Sequence, residues 1–342
     1  MTPYDRRAWA EVEKWREQRL TARARRVLPE KVRGRLSDTG NRAKGKIDAL
    51  PGVGEFEKLF AKSLGSLMDL GSRTAMATVR EGAVLKAYRK RGHEVYALEH
   101  IAKLELRDID RTKPNLGLAY TATATAEGAA AGFGVSGGQI VALGGAVAGA
   151  GAGAAPGAGM IVGVMAADAA AVLVAASRAV AHTAAYYGYD LKDPDERLFA
   201  LAVLSMGTAA GAGKAAAYIE INKLVQMLAR GATWKQLRGS VVTKVVEKVF
   251  TRLGYRITQR KLGQAVPVVG AIVGAGMNAS LISSVADDAD HIYRERFLRE
   301  RYGIEPVIAE DAGAGDVETD VIYIAEIVET EAEGGGSESD RR

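Results

Sequence analysis

Between positions 241 and 253 the apolar residues fall in pairs at every fourth position: Val241/Val242, Val245/Val246, Val249/Phe250, then Leu253. Only a helix gathers such pairs into one stripe. The same period recurs along the chain. It links Trp9, Val12 and Trp15 within Asp5–Leu28, runs through Phe56–Tyr88 to a stop at Gly92, and links Val95, Leu98, Ile101 and Leu104. It then covers Met160–Ala185, Leu198–Ala229 and Gln264–Tyr302. Asp193 followed by Pro194 reads as a helix start, because proline suits the first helical position. Nothing alternates with period two over a useful length. The predicted fold is therefore all-α: a multi-helix bundle with long helices and a Gly/Ala-rich helical hairpin or loop.

Charge divides the chain. Residues 1–46 carry 14 basic and 6 acidic side chains, and residues 304–342 carry 2 basic and 12 acidic ones. The net +5 of the 342 residues thus hides a basic head, a basic body and an acidic tail. The expected organisation is a basic helical extension over 1–50, a helical domain over 51–303 and an acidic, largely disordered tail over 304–342. Inside that tail Val321, Ile322, Tyr323, Ile324, Ile327 and Val328 form a short apolar run that suits docking as a strand or short helix. Apolar content of 48% excludes wholesale disorder. With no cysteine, disulfides, thiolate metal sites and a cysteine nucleophile are excluded. Met1–Trp9 lacks an apolar run, so no signal peptide is expected and the predicted location is cytoplasmic.

Gly128–Ala167 holds 40 residues without a charge, 13 of them Gly and 13 Ala. Glycines at 145, 149, 153 and 157 form a four-residue ladder, and Gly207/Gly211 and Gly270/Gly274 repeat the spacing. Small residues at that spacing let helices approach closely, as in membrane helix pairs. Insertion is opposed by the scarcity of large apolar residues, by Pro156 and by Asp168. A central aspartate alone costs roughly 2.5–3.5 kcal/mol on insertion scales. Association with a membrane surface is the better expectation. Lys244, Lys248, Arg252, Arg256 and Arg260 recur every fourth residue beside the valine stripe, a ridge suited to anionic lipid. A core helix with a basic wet side would look the same. No nucleic-acid partner is expected: reader motifs are absent and aromatics are only 6%.

Motifs for catalysis are weak. Gly134-Val135-Ser136-Gly137-Gly138 fits G-x-S-x-G, but Ala129–Phe133 before it is not strand-like, and nothing ties His182 or His291 to Ser136. A serine hydrolase using Ser136 therefore stands only as an alternative, beside a soluble scaffold. Gly132–Gly137 fits G-x-G-x-x-G without the strand or the later acid. Gly213-Lys214 resembles the end of a phosphate loop, but Thr208 and Ala215 stand where glycine and Ser/Thr are needed. Asp287 and His291 lie one turn apart with Asp288 and Asp290 adjacent, yet no third metal ligand is identifiable. No metal, cofactor or small-molecule substrate is indicated. Asp168, Arg178 and Asn278 interrupt apolar helical runs and are expected to form a buried polar cluster between helices.

Two longer segments carry a resemblance. Tyr187-Gly188-Tyr189-Asp190 with Asp193-Pro194-Asp195-Glu196-Arg197-Leu198-Phe199 is one. Pro267-Val268-Val269-Gly270-Ala271 through Gly274 to Asn278, followed by Tyr293-Arg294-Glu295-Arg296-Phe297, is the other. Together they resemble the EcsC family over roughly residues 55–303. The family positions singled out are Asp190, Asp193, Arg197, Pro267, Gly270 and Asn278, with Asp168 and Arg178 as weaker echoes. The family takes its name from a bacterial protein encoded with the two parts of an ABC transport system. The resemblance implies a bacterial helical protein at the inner face of the membrane, with a membrane transporter or an anionic membrane surface as partner. It supplies no catalytic residues, and it makes an enzyme the less expected reading. The Gly/Ala tract around 138–158 looks like an insertion relative to the family, and the acidic tail lies outside it.

Overall fold

A computed structural model describes residues 1–20, 79–122, 158–209, 213–230, 244–246, 248–254, 256, 270–305, 322–324 and 327, with backbone alone at 158–169, 228–230 and 270–277. All regular structure among the described residues is helical. The helices are α1 (Pro3–Leu20), α2 (Glu81–Arg89), α3 (Leu98–Ile101), α4 (Leu106–Thr112), α5 (Ala158–Tyr186), α6 (Pro194–Thr208), α7 (Gly213–Arg230) and α8 (Gly270–Tyr302). Two further stretches, 116–122 and 244–256, are helical where described.

The long helix α8 is the spine. It packs against α5, α6 and α1, while α6 also packs on α7 and α5. Every side chain of α6 from Leu198 to Thr208 is buried. A helix apolar on all sides belongs in the middle of a core, and α6 lies there. Helix α1 joins the same core through Ala8 and Trp15, with Val12 buried between them.

Two glycines set the geometry. Gly188 has φ +91° and follows α5. The Gly188 N–H donates to the Ala185 carbonyl and the Tyr189 N–H to the Ala184 carbonyl, closing α5 in a Schellman turn. A Cβ at Gly188 would lie 2.8 Å from Ala102 N and Leu98 O, so the turn is pressed against α3 as well. A Cβ at Gly207 would lie 2.9 Å from the Cα of Val285. The small residue read from the sequence as a close-approach site thus brings α6 onto α8.

Some expected elements are broken. The helix through Val95–Leu104 is in fact the short α3, with α4 beginning after it, because Ala97 and Glu105 are extended. The run Leu198–Ala229 is interrupted where Ala209 turns extended, with ψ 156°. Within the acidic tail, Ile322 and Ile324 of the apolar run expected to dock are buried in the common core. Apolar side chains there gain by leaving water even though their neighbours are acidic. The Ile327 N–H donates to the Tyr323 carbonyl, a helical turn rather than a strand.

Candidate functional site

The C-terminal half of α8 puts a charged residue on nearly every face, because charges at 287, 288, 290, 294, 295, 296, 299 and 300 sweep around a 3.6-residue period. Each face meets a different helix. Towards α4, the Arg294 guanidinium donates to Asp110 at 2.6 Å. Lys113 pairs with Asp290 at 2.9 Å, and the Tyr187 hydroxyl donates to the same carboxylate at 2.9 Å. Towards α6, Arg296 grips both oxygens of Glu196 at 2.6 Å and reaches Glu300 at 2.7 Å. Its guanidinium also lies over the rings of Tyr189 and Phe199, 4.2 and 4.4 Å from their centroids. Towards α7, Glu295 accepts from Tyr218 at 2.6 Å, and Lys214 pairs with the fully buried Asp288. Towards α1, Arg16 donates to Glu295 at 3.1 Å.

Burial pushes the Glu196 and Asp288 carboxyls up, and Arg296 and Lys214 respectively pull against it. At Asp290 burial also works against the charged form, but Lys113 and Arg294 outweigh it and hold the carboxyl below its usual range. Burial is the largest single influence on Arg296 and lowers it, but the hydrogen bonds and charge of Glu196, with Tyr189 and Glu300, together outweigh it, so the fork stays charged. Such ionised, bidentate contacts are the strong kind of hydrogen bond. Chemically the network is a clamp. Each of these carboxylates already faces a protein cation, so proton transfer or metal ligation would have to break an existing pair.

Two clefts flank it. A polar one of about 390 Å³ opens between Lys113, Asn115, Thr183, Ser283 and Asp290. An apolar one of about 280 Å³ lies between Phe199, Ile221, Val225, Ile292 and Ile304. Among the described residues no group of three or more His, Cys, Asp or Glu side chains is placed to hold a metal ion. His291, weighed as a ligand, instead stacks on Trp15 at 4.8 Å and bonds the Asp287 carbonyl at 2.8 Å.

The residues read from the sequence scatter. Asp190 accepts from the Lys192 N–H at 2.9 Å, and Arg197 donates to the Leu191 carbonyl at 3.2 and 3.3 Å. Both tie down the loop before α6. Asp193 is the extended residue in front of it, but its side chain makes no capping bond. Gly270 opens α8. One member of the expected buried cluster, Arg178, is not buried. Arg178 is exposed and Asn278 half-buried, while the Asp168 side chain lies outside the described residues. The reason is compositional: α5 is so rich in alanine that its wet face, with Ala171 and Arg178 exposed, reads as apolar. The Arg178 charge still bears on the nearby Tyr120–His182 pair, in which the tyrosine hydroxyl meets Nδ1 of the imidazole. Burial first, then Arg178, holds His182 below the ordinary histidine range, and burial pushes Tyr120 up to about 12. Lys244, Lys248 and Arg252 are exposed, Arg256 is half-buried, and Val245, Val249, Phe250 and Leu253 are buried. The stripe and the ridge therefore face opposite ways, as their spacing predicts. Ser136, Arg260 and Pro267 lie outside the described residues, as does most of Gly128–Ala167. No helix among the described residues is long and apolar enough to cross a membrane.

Glu196, Arg294 and Arg296 were not singled out by sequence reasoning, although they stand inside the two segments that carry the resemblance. The available signal was three consecutive charges between two aromatic residues, Tyr293–Phe297.

Those two segments, a hundred residues apart, meet at the Arg296–Glu196 pair and at the stack of Tyr187 on Tyr293. A sequence model described as the EcsC protein family matches residues 145–298, which hold both. This stretch belongs to the EcsC family. Its match begins within the Gly/Ala tract, at residue 145. Protein EcsC of Bacillus subtilis (strain 168) is 28% identical over 117 residues, 34% of this chain and 44% of that protein. The uncharacterized protein YdbA of the same bacterium is 28% identical over 248 residues, 70% of this chain and 79% of that protein. No solved structure matches.

Proposed function

We propose that this EcsC-type protein is a non-enzymatic, peripheral membrane module of the inner membrane face. It sits on anionic lipid through the ridge at 244–256 and acts as an accessory to a membrane transporter. The observation that carries the reading is the two-sided stretch itself: Lys244, Lys248 and Arg252 exposed, Val245, Val249, Phe250 and Leu253 buried. The core anchors one side, and the other presents cations at one-turn spacing. Each such cation near an anionic surface contributes about 1 kcal/mol. The resemblance to a protein encoded beside an ABC transport system supports the transporter as neighbour.

Reversing three charges, as K244E/K248E/R252E, removes about 3 kcal/mol of attraction and adds repulsion. The expected result is at least a hundredfold weaker sedimentation with phosphatidylglycerol vesicles, because about 1.4 kcal/mol is a factor of ten. Far-ultraviolet circular dichroism checks that the variant is folded. Unchanged sedimentation of folded variant would remove the ridge from this reading.

A further inference from the structure

Helix α1 is fastened to the rest of the protein by contacts that the body can do without. Arg16 reaches Glu295, but Glu295 also accepts from Arg299 at 2.6 Å and from Tyr218. Arg19 reaches Asp288 at 3.1 Å, but Asp288 keeps Lys214. The Tyr4 hydroxyl donates to Asp110 at 2.8 Å, but Asp110 keeps Arg294. Arg19 also bonds Asp287 at 2.7 Å, which retains His291 at 3.6 Å. Removing α1 therefore leaves the buried Glu295, Asp288 and Asp110 each with a cation of the body, while Asp287 is exposed. That is unusual for a buried network, where losing one partner ordinarily strands the other.

The seam is also incompletely satisfied. Trp15 Nε1 and one oxygen of Glu295 are buried there without a hydrogen-bond partner. Unmade bonds of this kind favour the state in which those groups reach water or another acceptor. The inner edge of α1 carries Trp9, Val12 and Trp15. Tryptophan favours the membrane–water interface, where the ring is apolar-solvated and the N–H finds an acceptor. Behind α1, residues 21–46 add nine basic and two acidic side chains, and 58 residues of chain separate Leu20 from Val79.

We propose that α1 is a releasable latch: at an anionic membrane it leaves α8 and lays Trp9, Val12 and Trp15 into the lipid interface. This rests on the membrane reading above. On release the body carboxylates fall back on Arg299, Lys214 and Arg294.

The test uses the full chain and phosphatidylglycerol vesicles whose acyl chains are brominated near the headgroup. Tryptophan emission is read in the wild type and in W9F/W15F, which keeps Trp234. Because the chain has three tryptophans, the difference belongs to α1. The expected result is sedimentation with the vesicles and at least a twofold loss of the α1 emission. Sedimentation with that emission unquenched would show α1 still docked and overturn the latch while leaving the membrane reading intact. No sedimentation would overturn both.

Discussion

Raising the pH above 10 is expected to unfold this protein steeply. Tyr88, Tyr187, Tyr189 and Tyr293 are all buried, and burial is the first cause that drives their hydroxyls well above the usual tyrosine range. Tyr88 donates to the Tyr186 carbonyl at 2.6 Å, Tyr187 to Asp290 and Tyr189 to Glu300, acceptors that have no use for a phenolate. In the unfolded chain the same groups ionise near pH 10, about their free value. Their contribution is thus fully present below pH 10 and is lost as the pH climbs towards the folded-state values. Each group removes about 1.4 kcal/mol per pH unit in that window. Because the unfolded groups are only half ionised at pH 10, four together remove about 4 kcal/mol in the first unit and about 5–6 kcal/mol in the next, comparable with the whole stability of a typical domain. Tyrosinate absorbance and loss of helical circular dichroism should therefore rise together between about pH 10 and 12. A chain that keeps its helical circular dichroism beyond about pH 12 would contradict this. The Tyr293 hydroxyl is buried without a partner, so Y293F should keep the fold and flatten the alkaline slope by about a quarter.

Arg296→Ala is expected to be the most damaging single substitution in the clamp. The guanidinium satisfies both oxygens of Glu196, bonds Glu300 and covers two aromatic faces. Its loss strands the mostly buried Glu196 carboxylate and opens space between α6 and α8. Breaking one half of a buried pair costs about 3–5 kcal/mol, which denaturant unfolding would read directly. Arg296→Lys keeps the charge and loses the fork, so it should fall between wild type and alanine. E196Q/R296M should recover much of the loss, because no buried charge is then left alone. If R296A cost less than about 1 kcal/mol, the pair would have to be treated as a surface ion pair.

The helical class was legible because apolar period survives any tertiary detail: Val245, Val249 and Leu253 are buried and Lys248 and Arg252 exposed, as a 3.6-residue repeat requires. Helix ends were less legible. Ala209 turns extended between Gly207 and Gly211, glycines whose spacing reads as helix packing rather than as a break between α6 and α7. The site was half legible. Both stretches that carry the resemblance enter the clamp, but the bond from Arg296 to Glu196 spans a hundred residues, and no periodicity records it. Alanine-rich α5 misled in the other direction, since Ala171 in water and Ala176 in the core look alike in sequence. Lys214, which imitates a phosphate loop, is instead the counter-ion of Asp288.

Fractionation of the natively expressed protein, with a high-salt and then a carbonate wash of the membrane pellet, bears most directly on a peripheral module held by a basic ridge. Recovery in the pellet and release by salt alone is the expected result, since screening removes exposed charge attraction. Retention through both washes, or absence from the pellet at the outset, would contradict it.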